Sequence, residues 1–263
     1  MDLGIEGNSA LVLASSSGLG KASAEALARE GVNIVINGRD EQKLKETKRE
    51  IERVANGRVI AEQGDIKDYQ EIRKLVEATV EEFGGLDHLV TCAGGPPSKP
   101  FLETTDDEWY HSFDLLVMSV VRVVRESVEY LRESDAGTIV NITSISVKEA
   151  LESLVLSNSV RMAVVGLEKT LSRELGPEIR VNSVLPGPHE TGRIQNLVDE
   201  AVERGEFEDY EEGLESWTEG VPLKRIGQPQ ELGDVVAFLC SEKSSYLNGI
   251  AIPIDGGGSR SNL

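Results

Sequence analysis

The sequence predicts one α/β domain: a doubly wound parallel sheet of about seven strands with helices on both faces. Three observations predict it. Short apolar runs alternate with longer amphipathic stretches along the whole chain, and such alternation builds βαβ units. The 263 residues are enough for one large core. No internal repeat, low-complexity segment or linker divides them, so residues 1–263 are expected to form a single domain.

Ser9–Ala14 (SALVLA) reads as the first strand, and Gly18–Arg29 as a helix whose first turn is made of small residues. Asn33–Asn37 (NIVIN) is the second strand, Glu41–Val54 a charged helix, Arg58–Glu62 the third strand and Asp68–Phe83 the third helix. Leu86–Thr91 is the fourth strand, Trp109–Arg132 a long helix, Thr138–Ile142 (TIVNI) the fifth strand and Leu156–Leu175 another long helix. Arg180–Val184, a helix at Gln230–Leu239 and a short strand at Ile250–Ile254 complete the pattern. Parallel crossovers are right-handed, and ligands in such sheets sit beyond the carboxyl ends of the strands where strand order reverses. One stretch breaks the alternation. Pro186–Pro222 begins Pro-Gly-Pro, is rich in Glu and contains no strand. An excursion of this length predicts a lid over a site, near residues 188–222. The acidic run Glu206–Glu215 within it reads as solvated helix faces.

Charge and composition exclude several classes. Asp plus Glu number 46 against 27 Lys plus Arg, a net charge of −19. Such a surface repels phosphate backbones, so a nucleic-acid partner is not expected. The acidity is that of a salt-rich cytoplasm or of a plainly acidic protein. No stretch approaches the roughly 18 apolar residues of a membrane span. The opening Met1-Asp2-Leu3-Gly4 lacks a basic region followed by an apolar run, so a cytoplasmic location is expected. Cys92 and Cys240 lie far apart in apolar segments and read as small buried hydrophobes. The three histidines have no ligand-like spacing, so no metal is expected.

Chemistry concentrates at the strand ends. After the first strand, Ser15-Ser16-Ser17-Gly18-Leu19-Gly20 leads into a helix. Small residues let the backbone approach a pyrophosphate, the helix start offers free N–H groups, and the serine hydroxyls can add donors. The second strand ends Asn37-Gly38-Arg39-Asp40. A site for NAD usually places an acid at this strand end to hold the ribose hydroxyls. Here that place is Gly38, and the neighbouring Arg39 suits a 2′-phosphate, which favours NADP over NAD.

Further elements extend the pattern: Gly64-Asp65-Ile66, Cys92-Ala93-Gly94-Gly95, Val140-Asn141-Ile142-Thr143-Ser144, Val181-Asn182-Ser183-Val184-Leu185-Pro186-Gly187 and Ile254-Asp255-Gly256-Gly257. With the serine-glycine turn, they make the whole chain resemble the short-chain dehydrogenase/reductase family, a Rossmann-type fold, and within it proteins related to 3-oxoacyl-carrier-protein reductases. The resemblance implies that Asp65 bonds the adenine amino group with Ile66 beside the ring. It implies that Ala93 and Gly94 line the adenosine and phosphate path with Cys92 at the preceding asparagine place, and that Pro186, Gly187 and Thr191 border the nicotinamide. It also implies a homotetramer, or a homodimer, built on the two long helices.

Departures from the family pattern are as informative. Leu13 and Ala14 stand where the turn usually opens with Thr-Gly. Of the usual Asn, Ser, Tyr and Lys, only the serine remains, as Ser144; Leu116, Ser157 and Arg161 occupy the other places. The chain is similar to a subgroup of short-chain-reductase-like proteins with the same imperfect turn and tetrad. A serine alcohol is a far weaker acid than a phenol, and arginine does not release its proton at useful pH. Arg161 can still bond the nicotinamide ribose and Ser144 can polarise a carbonyl. The proton would come from water, Lys148 or His189. Three functions follow: an NADP-dependent oxidoreductase of a carbonyl or secondary alcohol, a nucleotide-binding sensor or assembly partner without turnover, or a lyase or epimerase on the same fold. The small-molecule substrate would be shaped by the lid and by the Pro96-Pro97-Ser98-Lys99-Pro100 loop.

Overall fold

The computed structural model describes residues 2–262. Seven parallel strands form one sheet: β1 (Ser9–Val12), β2 (Asn33–Gly38), β3 (Val59–Gln63), β4 (His88–Thr91), β5 (Thr138–Ile142), β6 (Arg180–Pro186) and β7 (Ala251–Ile254), ordered β3-β2-β1-β4-β5-β6-β7. The chain steps outward from β1 to β3, then returns to lay β4 on the other side of β1. That reversal opens a crevice at the carboxyl ends of β1 and β4.

Alternation along the strands feeds two cores. Val12, Ile34 and Ile36 face α1 (Gly18–Arg29), α2 (Glu41–Glu52) and α9 (Pro229–Cys240). Leu11, Val35 and Leu89 face the other layer, of α3 (Tyr69–Phe83), α5 (Ser119–Glu133) and α6 (Val155–Glu174). Burying each such aliphatic side chain contributes about 1.5–3 kcal/mol. Both faces are covered, so β1, β4 and β5 are buried along their whole length. α1 and α9 meet closely, since a Cβ on Gly233 would lie 2.5 Å from the Ala22 carbonyl oxygen.

The structure adjusts several expectations. β1 stops at Val12, because Leu13 and Ala14 already turn toward α1. The helix expected at Trp109–Arg132 is two helices joined by a π segment, Asp114–Met118. The first of these, α4 (Asp106–Phe113), starts earlier because Thr105 and Glu108 form a capping box. The long excursion is ordered: α7 (Gly192–Glu203) and α8 (Tyr210–Glu219) pack against each other, with Ile194, Leu197 and Val198 buried against Leu154. The acidic run is a helix face only from Tyr210 onward, since Asp209 caps α8 by accepting from the Glu212 N–H. No helix among the described residues is long and apolar enough to cross a membrane.

Candidate active site

A cleft of about 1390 Å³ opens at the carboxyl ends of the strands. Its first wall is the turn between β1 and α1. Ala14 takes φ +46°, the left-handed conformation that a glycine would adopt without strain. The turn therefore keeps its shape without the usual glycine. Asn37, buried at the end of β2, holds it. Its side-chain oxygen accepts the Ala14 N–H at 3.2 Å, and its amide donates to the Gly64 carbonyl at 3.0 Å. Gly20 is fixed by closeness: a Cβ there would lie 2.6 Å from the Ala14 oxygen.

The start of α1 suits an anion. Ser17 makes no side-chain cap at α1, as is also the case at the starts of α6 and α7. The Gly20 N–H bonds the Cys92 sulfur, and the N–H groups before it are open to an anion. Ser16, Ser17, Gly18 and Leu19 line it. Ser15 does not, and corrects the expectation of three donor hydroxyls. Its hydroxyl donates to the Val12 carbonyl at 2.7 Å and accepts from the Asn37 N–H at 2.9 Å. Three consecutive serines look alike in sequence, but only two face the ligand space. Gly20 likewise packs beneath the turn, outside the lining.

At the end of β2, Arg39 and Lys43 line the cleft while Asp40 turns away to accept the Lys43 N–H as the cap of α2. The acid nearest this strand end is thus committed, and the guanidinium faces the site. Asp65, Ile66, Cys92, Ala93 and Gly94 form the adjoining wall. Cys92 is half-buried: it packs against the core as a small hydrophobe and also lines the cleft, and burial pushes its thiol up. These features fit a dinucleotide phosphate: an uncapped helix start and a guanidinium beyond the second strand.

The far wall carries the reaction end. Ser144, Ser157 and Arg161 all line it, with Pro186, Gly187 and Thr191 opposite. Ser144 Oγ accepts the Ser146 N–H at 3.1 Å, and its own proton is committed to no acceptor among the described residues. Ser157 is buried with its hydroxyl 3.2 Å from Ser146 Oγ. Arg161 is buried, and its Nε has no partner. Burial, with the like charge of Arg193 adding to it, lowers its pKa to about 10. It therefore stays charged at neutral pH, at a desolvation cost of several kcal/mol or thereabouts. Thr191 lies near Gly18, where a Cβ would come 3.6 Å from its methyl, so the start of α7 meets the phosphate turn. A Cβ on Gly187 would lie 2.7 Å from Asp255 Cβ.

Neither side chain proposed as a proton source stands ready. Lys148 is outside the cleft lining. His189 lines it but is buried and pins the chain: Nδ1 bonds the Gly187 carbonyl at 3.0 Å, and Gly227 packs on the ring. Burial lowers its pKa, so the ring is neutral. Leu116, at the expected asparagine place, is buried in the π segment. Sequence reasoning missed Arg193, His111, Glu149 and Glu152, which also line the cleft. Nothing in their spacing marks them, because loops bring them together. Asn158 holds one such loop, exchanging hydrogen bonds with the Leu151 backbone at 3.2 and 2.8 Å. No tyrosine lines the cleft, and no group of metal-ligating side chains occurs among the described residues.

The chain matches the family model described as enoyl-(acyl carrier protein) reductase over residues 13–259. It is 30% identical to a diacetyl reductase, (S)-acetoin forming, of Staphylococcus epidermidis, over 94% of this chain and 97% of that protein. It is 30% identical to a 3-oxoacyl-[acyl-carrier-protein] reductase of Thermotoga maritima, over 96% of this chain and 98% of that one. In structure it resembles the L-sorbose reductase of Gluconobacter frateurii complexed with NADPH and L-sorbose. That likeness has a TM-score of 0.93 at 33% identity and covers 99% of this chain and 100% of that one.

Proposed function

The chain belongs to the short-chain dehydrogenase/reductase family, and on that footing we propose that it is an NADP-dependent oxidoreductase that reduces a carbonyl, or oxidises the matching secondary alcohol, by a proton path of its own. One observation carries this reading. A single cleft runs from Arg39 past the uncapped turn to Ser144 and Arg161. Residues 1–263 act in it as one dinucleotide-binding unit, with the α7–α8 segment near 188–222 as its lid.

NADP(H), when bound, supplies the hydride. The free N–H groups at Ser17 to Leu19 receive its pyrophosphate, and Arg39 with Lys43 its 2′-phosphate, which favours NADP over NAD. Asp65 and Ile66 border the adenine, and Ala93 and Gly94 the path between. At the reaction end, the free Ser144 O–H donates to the carbonyl oxygen and polarises it. Arg161 offsets the charge that grows on that oxygen but does not give up its proton. Ser157 is not an acid of phenol strength. The proton then comes from water in the cleft, with the exposed His111 ring beside it. A missing positioned acid costs about 10²–10⁴ in rate, so turnover is expected to be slow. Exposed Tyr110, Phe113 and Met162 on α4 and α6 support assembly into a homotetramer or homodimer.

The lack of a tyrosine in the cleft favours one second reading, nucleotide binding without turnover. One experiment decides between them. Thermal unfolding is measured with NADPH, NADH and neither, followed by NADPH consumption with diacetyl, L-sorbose and a 3-oxoacyl thioester. A ligand at 100 times its Kd adds about 2.7 kcal/mol. A shift with NADPH plus carbonyl-dependent consumption supports the oxidoreductase. A shift with no consumption on any carbonyl leaves the binding protein. No shift with either nucleotide, in folded protein, ends both readings.

A further inference from the structure

Arg161 is a cation without a counter-charge. It is 9% exposed, it lines the cleft and its Nε is buried with no partner. Its charged and titratable neighbours are Cys92 and Arg193. Burial keeps the first a neutral thiol, and the second is another cation. Five carboxylates among the described residues line the cleft, and none pairs with Arg161: Glu152 makes no ion pair, and the other four are committed elsewhere. Glu206 pairs with Arg204 at 2.7 Å, Glu149 accepts the Arg260 N–H at 3.0 Å, and Asp255 accepts the N–H groups of Gly257 and Ser259 at 2.9 Å each. Asp65 accepts the Lys67 N–H at 2.9 Å.

Arg193 is held against the same space. One of its terminal nitrogens donates to the Pro96 carbonyl at 2.7 Å. Gly95 makes room for it, since a Cβ there would lie 2.7 Å from Arg193 Nε. Two guanidiniums thus face one cleft; Glu200 lies near enough to Arg193 to act on its charge, whereas no carboxylate among the described residues acts on Arg161. A buried cation left unpaired is strongly unfavourable, so such an arrangement is that of a receptor waiting for an anion. Beside Arg161 the dinucleotide brings no counter-charge. Ribose hydroxyls bring no charge, and the oxidised nicotinamide ring adds a further positive one. Planar guanidiniums match carboxylate and phosphate oxygens in pairs.

We propose that Arg161 and Arg193 form an oxyanion receptor for the substrate, so that the compound reduced is a carbonyl compound bearing a carboxylate or a phosphate. The proposal rests on the oxidoreductase reading above and narrows its substrate class. The anion docks between α6 and the start of α7, where it pairs with the arginines, and its carbonyl is presented to Ser144.

The test compares matched probes by thermal unfolding at constant ionic strength, with and without saturating NADPH. Acetoacetate is set against methyl acetoacetate, and dihydroxyacetone phosphate against dihydroxyacetone. In NADPH-bound protein, at least one anionic probe is expected to bind ten-fold or more tighter than its neutral partner. Arg161→Gln should abolish that preference, and Arg161→Lys should restore part of it. Equal binding of acid and neutral partner, binding of no anionic probe, or an undiminished preference in a folded Arg161→Gln protein would each overturn the proposal. So would an anion preference that NADPH removes, because the cofactor's own phosphates would then be the counter-charge. The NADPH shift is measured first on the same preparation. Its absence sinks the oxidoreductase reading, and the anionic and neutral probes compared on free protein then still decide for or against the receptor.

Discussion

The two ends of the cleft differ in what holds them and in what they can do chemically. At the phosphate turn a residue has changed but the geometry has not: Ala14 adopts φ +46° where a glycine is usual, and Asn37 clamps it there. At the reaction end Ser157 and Arg161 line the cleft; on our proposal they take the places of a phenol and an amine, and neither reproduces their acidity. Backbone shape tolerates such substitution at the cost of mild strain. Proton transfer does not, because it depends on the pKa of one positioned group.

The sharpest way to break this contrast is to restore the missing pair. Ser157→Tyr with Arg161→Lys places a phenol and an ammonium on the same helix face. The rate of NADPH consumption with diacetyl or L-sorbose should rise about 10²–10⁴-fold. An unchanged rate in folded, NADPH-binding double variant would mean that the reaction end lacks more than these two side chains. At the other end, Gly20→Ala should be nearly as severe in the opposite direction. Its Cβ would meet the Ala14 oxygen at 2.6 Å and open the turn. About 100-fold weaker NADPH binding is expected, equivalent to about 2.7 kcal/mol; binding as tight as in the parent protein would show that the turn is soft.

The same contrast explains what was legible in the sequence. Strands, helices and the turn could be read because apolar periodicity and small residues depend on neighbours in the chain. Cleft residues arriving from loops could not. Arg193 meets Pro96 across 97 positions, and Ser98 meets the Ser153 carbonyl across 55. Nor could orientation be read. Ser15 and Ser16 are adjacent, yet one faces β2 and the other the cleft. Lys148 sits close in sequence to Ser144 but outside the cleft lining.

Two weaker changes separate binding from stability. Arg39→Ala should weaken NADPH about 10–100-fold and leave NADH unaffected, since a hydrogen bond to a charged group contributes about 1.5–3 kcal/mol. Equal loss for both nucleotides in a titration would remove the 2′-phosphate role. Glu168 probes α6 away from the cleft. It is 1% exposed, its Oε2 has no partner, and burial raises its pKa, while Ser183 and Lys169 pull the other way. The folded protein thus holds this proton to higher pH than the unfolded chain does. Stability is full below the usual carboxylate range and is lost as pH rises through the raised value. Glu168→Gln should match the parent in acid and exceed it by about 1–3 kcal/mol in alkali. Parallel denaturation curves at all pH values would refute that.

The smallest effect tests the turn itself. Ala14 is held in a left-handed conformation that costs an L-residue about 1–2 kcal/mol. Ala14→Gly removes that strain but adds freedom to the unfolded chain worth about 0.4–1 kcal/mol. The net gain should be about 0.5–1 kcal/mol, read as a higher denaturation midpoint at unchanged slope. NADPH affinity should stay the same, because the Asn37 clamp already holds the turn in its binding shape. Tighter NADPH binding without added stability would reverse this: the alanine would then be distorting the phosphate site, and the departure at the turn would be chemical after all, like the one at Ser157.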